Sequence, residues 1–124
     1  MRIALVGYGK MGKTIHRIAE ERGHEISIII DKDNLDQIGT ITPENTDVTI
    51  EFSRPDAAYG NLKALIGNGV KVICGTTAWL EKKAEIDALT LEKKTAFIYA
   101  SNFSLGVNLF FALNKKLAAL MNPY

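Results

Sequence analysis

Gly7-Tyr8-Gly9-Lys10-Met11-Gly12 spaces three glycines as a pyrophosphate seat needs them, and Asp31, 19 residues beyond Gly12, places a carboxylate where ribose hydroxyls can donate to it. Gly7 permits a tight turn, Gly9 lets backbone approach the anion, and Gly12 lets a helix pack closely on a sheet. The anion then rests on the free N–H groups of the helix start. A glycine cluster also serves as a plain turn, so its surroundings decide. Arg2–Val6 is a short apolar run suited to a buried parallel strand. Met11, Ile15, Ile18 and Ala19 share one face of the helix that follows, and a second apolar run, Glu25–Ile30, leads directly to Asp31. Strand, glycine turn, helix, strand and acid together are the arrangement that binds a dinucleotide.

In parallel sheets, ligands lie outside the carboxyl ends of the strands, so the residues there are the next to read. Three ends carry distinctive chemistry: Glu51-Phe52-Ser53-Arg54-Pro55, Gly75-Thr76-Thr77, and Ala100-Ser101-Asn102-Phe103-Ser104. Gly75 admits a flat ring against the backbone, while Thr76 and Thr77 offer hydroxyls and N–H groups to a ribose, an amide or a carboxylate. The same three residues also suit a simple strand-to-helix turn. Phe52 is either a surface along which a nicotinamide lies or a core aromatic, and Asn102 and Ser104 either meet ligand or cap the last helix. His16 and His24, the two histidines, have no obvious acid or lysine partner in a cleft and are read as solvated or capping groups. No residue of this chain is assigned a catalytic role, and no metal site is expected.

The elements that must position these groups alternate. Strands are expected at Arg2–Val6, Glu25–Ile30, Asp47–Phe52, Val70–Cys74 and Thr95–Tyr99. Helices are expected at Met11–Arg22, Pro55–Ile66, Leu80–Leu91 and Leu105–Met121, with Gly23, Gly67 and Gly69 as stops and Ser104 as a cap. Lys32 to Thr46 reads as a polar loop. The pattern predicts an α/β fold, a Rossmann-like doubly wound parallel sheet of about five strands with helices on both faces. The 124 residues suit one domain, residues 1–124, and the apolar fraction of 47% suits a soluble globular chain. Fifteen basic against fourteen acidic side chains leave a net charge of +1, so neither nucleic acid nor a membrane is an expected partner. A single cysteine, Cys74, in an apolar strand reads as a small buried hydrophobe in a reducing, cytoplasmic setting.

Taken together, Gly7-x-Gly9-x-Met11-Gly12, Glu51-Phe52-Ser53-Arg54-Pro55, Gly75-Thr76-Thr77 and Asn102-Phe103-Ser104-x-Gly106-Val107-Asn108 resemble the amino-terminal half of the 4-hydroxy-tetrahydrodipicolinate reductases, also called dihydrodipicolinate reductases. The resemblance spans the whole chain, and its most specific piece is Asn102 to Asn108. It implies an NADH- or NADPH-using enzyme of diaminopimelate and lysine synthesis that reduces a cyclic unsaturated imine dicarboxylate. It also implies a homotetramer formed through a substrate domain that lies outside this chain. Residue by residue, it assigns Gly7, Tyr8, Gly9, Lys10, Met11 and Gly12 to the pyrophosphate, and Asp31 and Lys32 to the adenosine ribose. Gly75, Thr76 and Thr77, with Ala100, Ser101, Asn102 and Phe103, fall at the nicotinamide end, and Thr77 also at a substrate carboxylate. The glycine loop is one residue shorter than in many relatives, Ala78 stands where glycine is common, and Ser101 where alanine or proline is common. Ala78 therefore asks for a turn without a left-handed residue.

The family's proton-donor histidines and its substrate-gripping Ser-Gly-Thr would follow Tyr124. The chain by itself is therefore expected to bind cofactor and not to turn over. Asp31 favours the free hydroxyls of NADH, whereas Lys32 suits a 2′-phosphate, so dual cofactor use is expected. Two other functions fit the same features. One is the nucleotide half of another two-domain enzyme such as a homoserine or aspartate dehydrogenase. The other is a non-catalytic dinucleotide sensor that uses the apolar Leu105–Met121 helix as an interface.

Overall fold

A computed structural model describes all 124 residues, Met1–Tyr124. Five strands, β1 (Arg2–Val6), β2 (Glu25–Ile30), β3 (Val48–Glu51), β4 (Val72–Cys74) and β5 (Phe97–Tyr99), form one sheet in the order β2-β1-β3-β4-β5. Every pairing is parallel. The order reverses between β1 and β3, which opens a crevice at their carboxyl ends. Helices α1 (Lys10–Glu21), α2 (Pro55–Gly67), α3 (Lys83–Glu92) and α4 (Leu105–Met121) follow β1, β3, β4 and β5. Between β2 and β3, where a loop was expected, Leu35–Thr40 winds into a short 3-10 helix.

Alternation along the strands divides the core in two. Ile3 and Leu5 point to one face and meet Ala19 and Ile15 of α1. Ala4, Val6, Val72 and Cys74 point to the other and meet Ala58, Leu62, Leu65 and Ile66 of α2 and Ile86 of α3. Trp79 closes this second layer, its indole edge-on to Phe97 and Tyr99 with ring centroids 6.0 and 5.6 Å away.

Helices α1, α2 and α3 all end in the same way. The residue after the cap takes a left-handed turn and its successor donates back across the last turn: His24 N–H to Ala19 O, Val70 N–H to Leu65 O, and Thr95 N–H to Thr90 O. Gly23 and Gly69 hold that turn in two cases, and Lys94, at φ 52°, does so without the freedom of glycine in the third.

The expected two-sided cover is met by α1 on one side and by α2 and α3 on the other, but α4 packs on neither. Each of its large apolar side chains is more than half exposed, from Phe111 at 53% to Leu105 at 75%. Its start is well formed, since Ser104 Oγ accepts from Val107 N–H and Asn108 Nδ2 donates to the carbonyls of Asn102 and Ser104. Strand limits are also tighter than expected: β3 loses Asp47 and Phe52, β4 loses Val70 and Lys71, and β5 loses Thr95 and Ala96. Gly67 belongs to α2 rather than stopping it, and the Leu80–Lys82 start of the expected third helix is a 3-10 turn.

Candidate cofactor site

β1 runs into Gly7, whose N–H donates to Ile30 O at 2.8 Å and whose φ of +92° turns the chain across the sheet edge. A Cβ at Gly7 would fall 2.1 Å from the Phe52 carbonyl oxygen, and one at Gly12 would fall 2.2 Å from the Gly7 carbonyl oxygen. Both close approaches set the start of α1 over the end of β1. Gly9 is different: nothing lies within 4 Å of a Cβ placed there, so open space faces it. As the N-cap of α1, Gly9 supplies no side-chain acceptor, and the first N–H groups of the helix are left without a cap. Free N–H groups at a positive helix end, beside an open glycine, fit a pyrophosphate.

The crevice beside this turn is a cleft of about 420 Å³ whose wall includes Gly7, Gly9, Asp31, Lys32 and Phe52. Asp31 directly follows β2, its N–H donating to Asn34 Oδ1 at 2.7 Å, and it lines the cleft wall. Ser53 and Arg54, noted in the sequence only as part of a strand end, also line the wall, and Leu35 from the 3-10 helix and Asp56 and Asn61 from α2 join them without having been singled out. Arg54 Nε donates to Asp56 Oδ1 at 3.0 Å, and this contact holds the Asp56 carboxyl below the usual carboxylate range. The mouth of the cleft thus carries a lysine, an arginine and two acids.

The second group of expected contacts adjoins the cleft through Phe52. A Cβ at Gly75 would fall 2.1 Å from the Phe52 ring, and Phe103 lies on its other side with ring centroids 6.4 Å apart. Phe52 is therefore half-buried between the glycine turn and β4 rather than in the core. Thr77 is exposed at the rim, and Ala100, Ser101 and Asn102 follow β5 at the same edge, with Asn102 Oδ1 accepting from Ser104 N–H.

Thr76 departs from its expected part. It is buried, its hydroxyl accepts from Ser53 N–H at 2.8 Å, and its carbonyl accepts from the Trp79 indole at 2.7 Å. Its side chain ties β4 to β3 instead of offering a hydroxyl outward. Ala78 also differs from expectation: it adopts the left-handed turn, at φ 61°, because Trp79 must fold back beneath Thr76. Tyr8, Lys10 and Met11 lie on the glycine turn and helix start outside the cleft wall, and Met11 is half exposed rather than packed on the sheet. The Tyr8 hydroxyl is 2.6 Å from His16 Nδ1, and His16 Nε2 is 3.3 Å from Glu20 Oε1, so His16 has the acid partner that the sequence did not reveal.

Residues 1–103 match the family model described as dihydrodipicolinate reductase, N-terminus. The chain belongs to the dihydrodipicolinate reductase family. A 4-hydroxy-tetrahydrodipicolinate reductase of Christiangramia forsetii is 46% identical over 123 residues, which cover 98% of this chain and 50% of that protein. The reductase of Thermosipho africanus is 34% identical over 125 residues, covering all of this chain and 55% of that protein. The chain thus spans about half the length of the curated relatives it matches. Among solved structures, a dipicolinate-bound dihydrodipicolinate reductase from Paenisporosarcina sp. TG-14 superposes with a TM-score of 0.77 at 22% identity, over 96% of this chain and 54% of that one. A hyperthermophilic archaeal homoserine dehydrogenase in complex with NADPH superposes at 0.59 with 17% identity, over 79% of this chain and 43% of that one. The fold is shared with both solved structures, and the family assignment rests on the family model and the sequence relatives.

Proposed function

We propose that this chain is the nucleotide-holding part of a 4-hydroxy-tetrahydrodipicolinate reductase and binds NADH or NADPH along the carboxyl edge of its sheet. The observation that carries this reading is the crevice between β1 and β3, where an uncapped helix start, an open glycine, Asp31 and Lys32 meet on one wall. The pyrophosphate rests on the α1 N–H groups, and Asp31 accepts from the adenosine ribose. Gly75, exposed Thr77 and the Ala100–Phe103 segment surround the nicotinamide beside Phe52. Bound reduced nicotinamide supplies a hydride to the conjugated imine of the substrate, and Thr77 meets a substrate carboxylate. The chain's own residues hold and orient; with no proton donor assigned among them, the isolated chain binds without turning over. A substrate domain beyond residues 1–124, a homotetramer and a cytoplasmic setting complete this reading. No helix is long and apolar enough to cross a membrane.

Titration of the folded chain with NADH and with NADPH tests the reading by calorimetry. Binding of at least one supports it, and no heat with either overturns it. Cofactor choice rests on the Asp31–Lys32 pair. The exposed Lys32 ammonium pairs with a 2′-phosphate, an exposed ion pair worth roughly 0.2–1 kcal/mol. Lys32→Ala is therefore expected to weaken NADPH about twofold to fivefold and to leave NADH within about twofold. Equal losses for the two cofactors in the same titration would remove Lys32 from this role.

A further inference from the structure

Glu51, the last residue of β3, is fully buried and stands in register between Val6 of β1 and Cys74 of β4. Every group that its carboxyl meets can donate. Oε1 accepts from Ser53 N–H at 3.2 Å, from the Ser53 hydroxyl, and from Asn61 Nδ2 at 3.5 Å, while Oε2 accepts from Cys74 Sγ at 3.1 Å. Burial foremost, and then the Glu51 charge, push the Cys74 thiol up, so the thiol keeps its proton and donates. None of the five ion pairs of the fold includes Glu51. An ionised carboxylate buried without a cation would depend on those donors, whereas a neutral glutamine would satisfy most of them.

The position of this charge suggests what it does. Ser53 N–H is shared between Glu51 and Thr76 Oγ1, which places the carboxylate directly beneath the rim made by Phe52, Ser53 and Gly75. Resting on the reading of that rim as the nicotinamide end, we propose that these donors hold Glu51 ionised and that its charge favours the oxidised, cationic nicotinamide over the reduced, neutral one. In the proposed reaction the C4–H bond of the cofactor breaks and both electrons leave with the hydrogen. A C–H bond forms on the conjugated cyclic imine, which is reduced and takes up one proton, and the nicotinamide retains one positive charge. Glu51 touches neither partner. Its field acts through the buried end of the sheet, where screening is weaker than in water.

The test compares NAD⁺, NADH and ADP-ribose binding to the chain by calorimetry, in the original sequence and in Glu51→Gln and Glu51→Asp. Glu51→Gln is expected to weaken NAD⁺ relative to NADH by about threefold to tenfold, the scale of one charge acting across several ångströms of protein. ADP-ribose, which lacks the ring, is expected to stay within about twofold, and Glu51→Asp is expected to keep the original NAD⁺ to NADH ratio within about twofold, because ligands differing only at the ring isolate a ring-specific charge effect. A partly unfolded variant loses both affinities alike, so the ratio reports on charge and not on folding. An unchanged ratio in Glu51→Gln, or a ratio lost equally in Glu51→Asp, overturns the proposal while leaving cofactor binding intact. An original chain that binds no nucleotide overturns both.

Discussion

Gly12→Ala is expected to weaken NADH binding by about 100-fold or more, equivalent to roughly 2.7 kcal/mol, as measured by calorimetry on protein that remains folded by circular dichroism. The new methyl would lie 2.2 Å from the carbonyl oxygen of Gly7, a backbone atom that cannot rotate aside. Relief requires the first turn of α1 to lift from the end of β1, and that turn carries the uncapped N–H groups proposed to hold the pyrophosphate. Displacement by about an ångström is enough to misalign hydrogen bonds that weaken steeply with angle. Gly9→Ala is the control, since nothing stands within 4 Å of a methyl at that position. The turn should form normally there, with any loss of affinity arising from a narrowed approach for the ligand. Unaltered affinity in Gly12→Ala would show that the seat lies elsewhere.

Leu62→Ala is expected to cost about 2.7–5 kcal/mol, which is a large share of the roughly 5–15 kcal/mol that stabilises a typical domain. Leu62 of α2 is fully buried between β1, β4 and the neighbouring side chains of α2, so its loss leaves a cavity that the sheet cannot collapse to fill. For a chain of this length the melting temperature should fall by roughly 10–20 °C. Leu117→Ala on α4 removes the same atoms from a side chain that is already 54% exposed, and its effect should stay within about 0.5 kcal/mol. Urea unfolding of the two variants side by side measures the contrast. A comparable loss for both would mean that α4 is packed in solution.

The parts of the site that depend on neighbours in the chain were legible in the sequence. Gly7, Gly9 and Gly12 announce a turn and a helix start by spacing alone, and Asp31 follows from the length of one helix and one strand. The helix stops at Gly23 and Gly69 were equally local. What the sequence did not reveal comes from tertiary contact. Asp56 and Asn61 reach the cleft only because α2 starts beside the glycine turn, and no periodicity encodes that. Thr76 turns inward because Ser53, 23 residues away, presents an N–H to it. Ala78 accepts an unfavourable φ because Trp79 is held under Thr76, a tertiary demand that overrides local preference. Glu51 read as one letter of a strand end, and its importance appears only when its donors are gathered around it.

Phe52 binds the cleft and the Gly75 turn beside it into one mechanical unit, its carbonyl lying where a side chain at Gly7 would go and its ring where one at Gly75 would go. Positions 7, 52 and 75 are consequently a single packing problem with one solution at a time: bulk added at either flank has to be surrendered by the aromatic between them. Sequence drift at this edge must be concerted, and a designer who wishes to reshape the seat for one half of a nucleotide will be altering its fit to the other half as well.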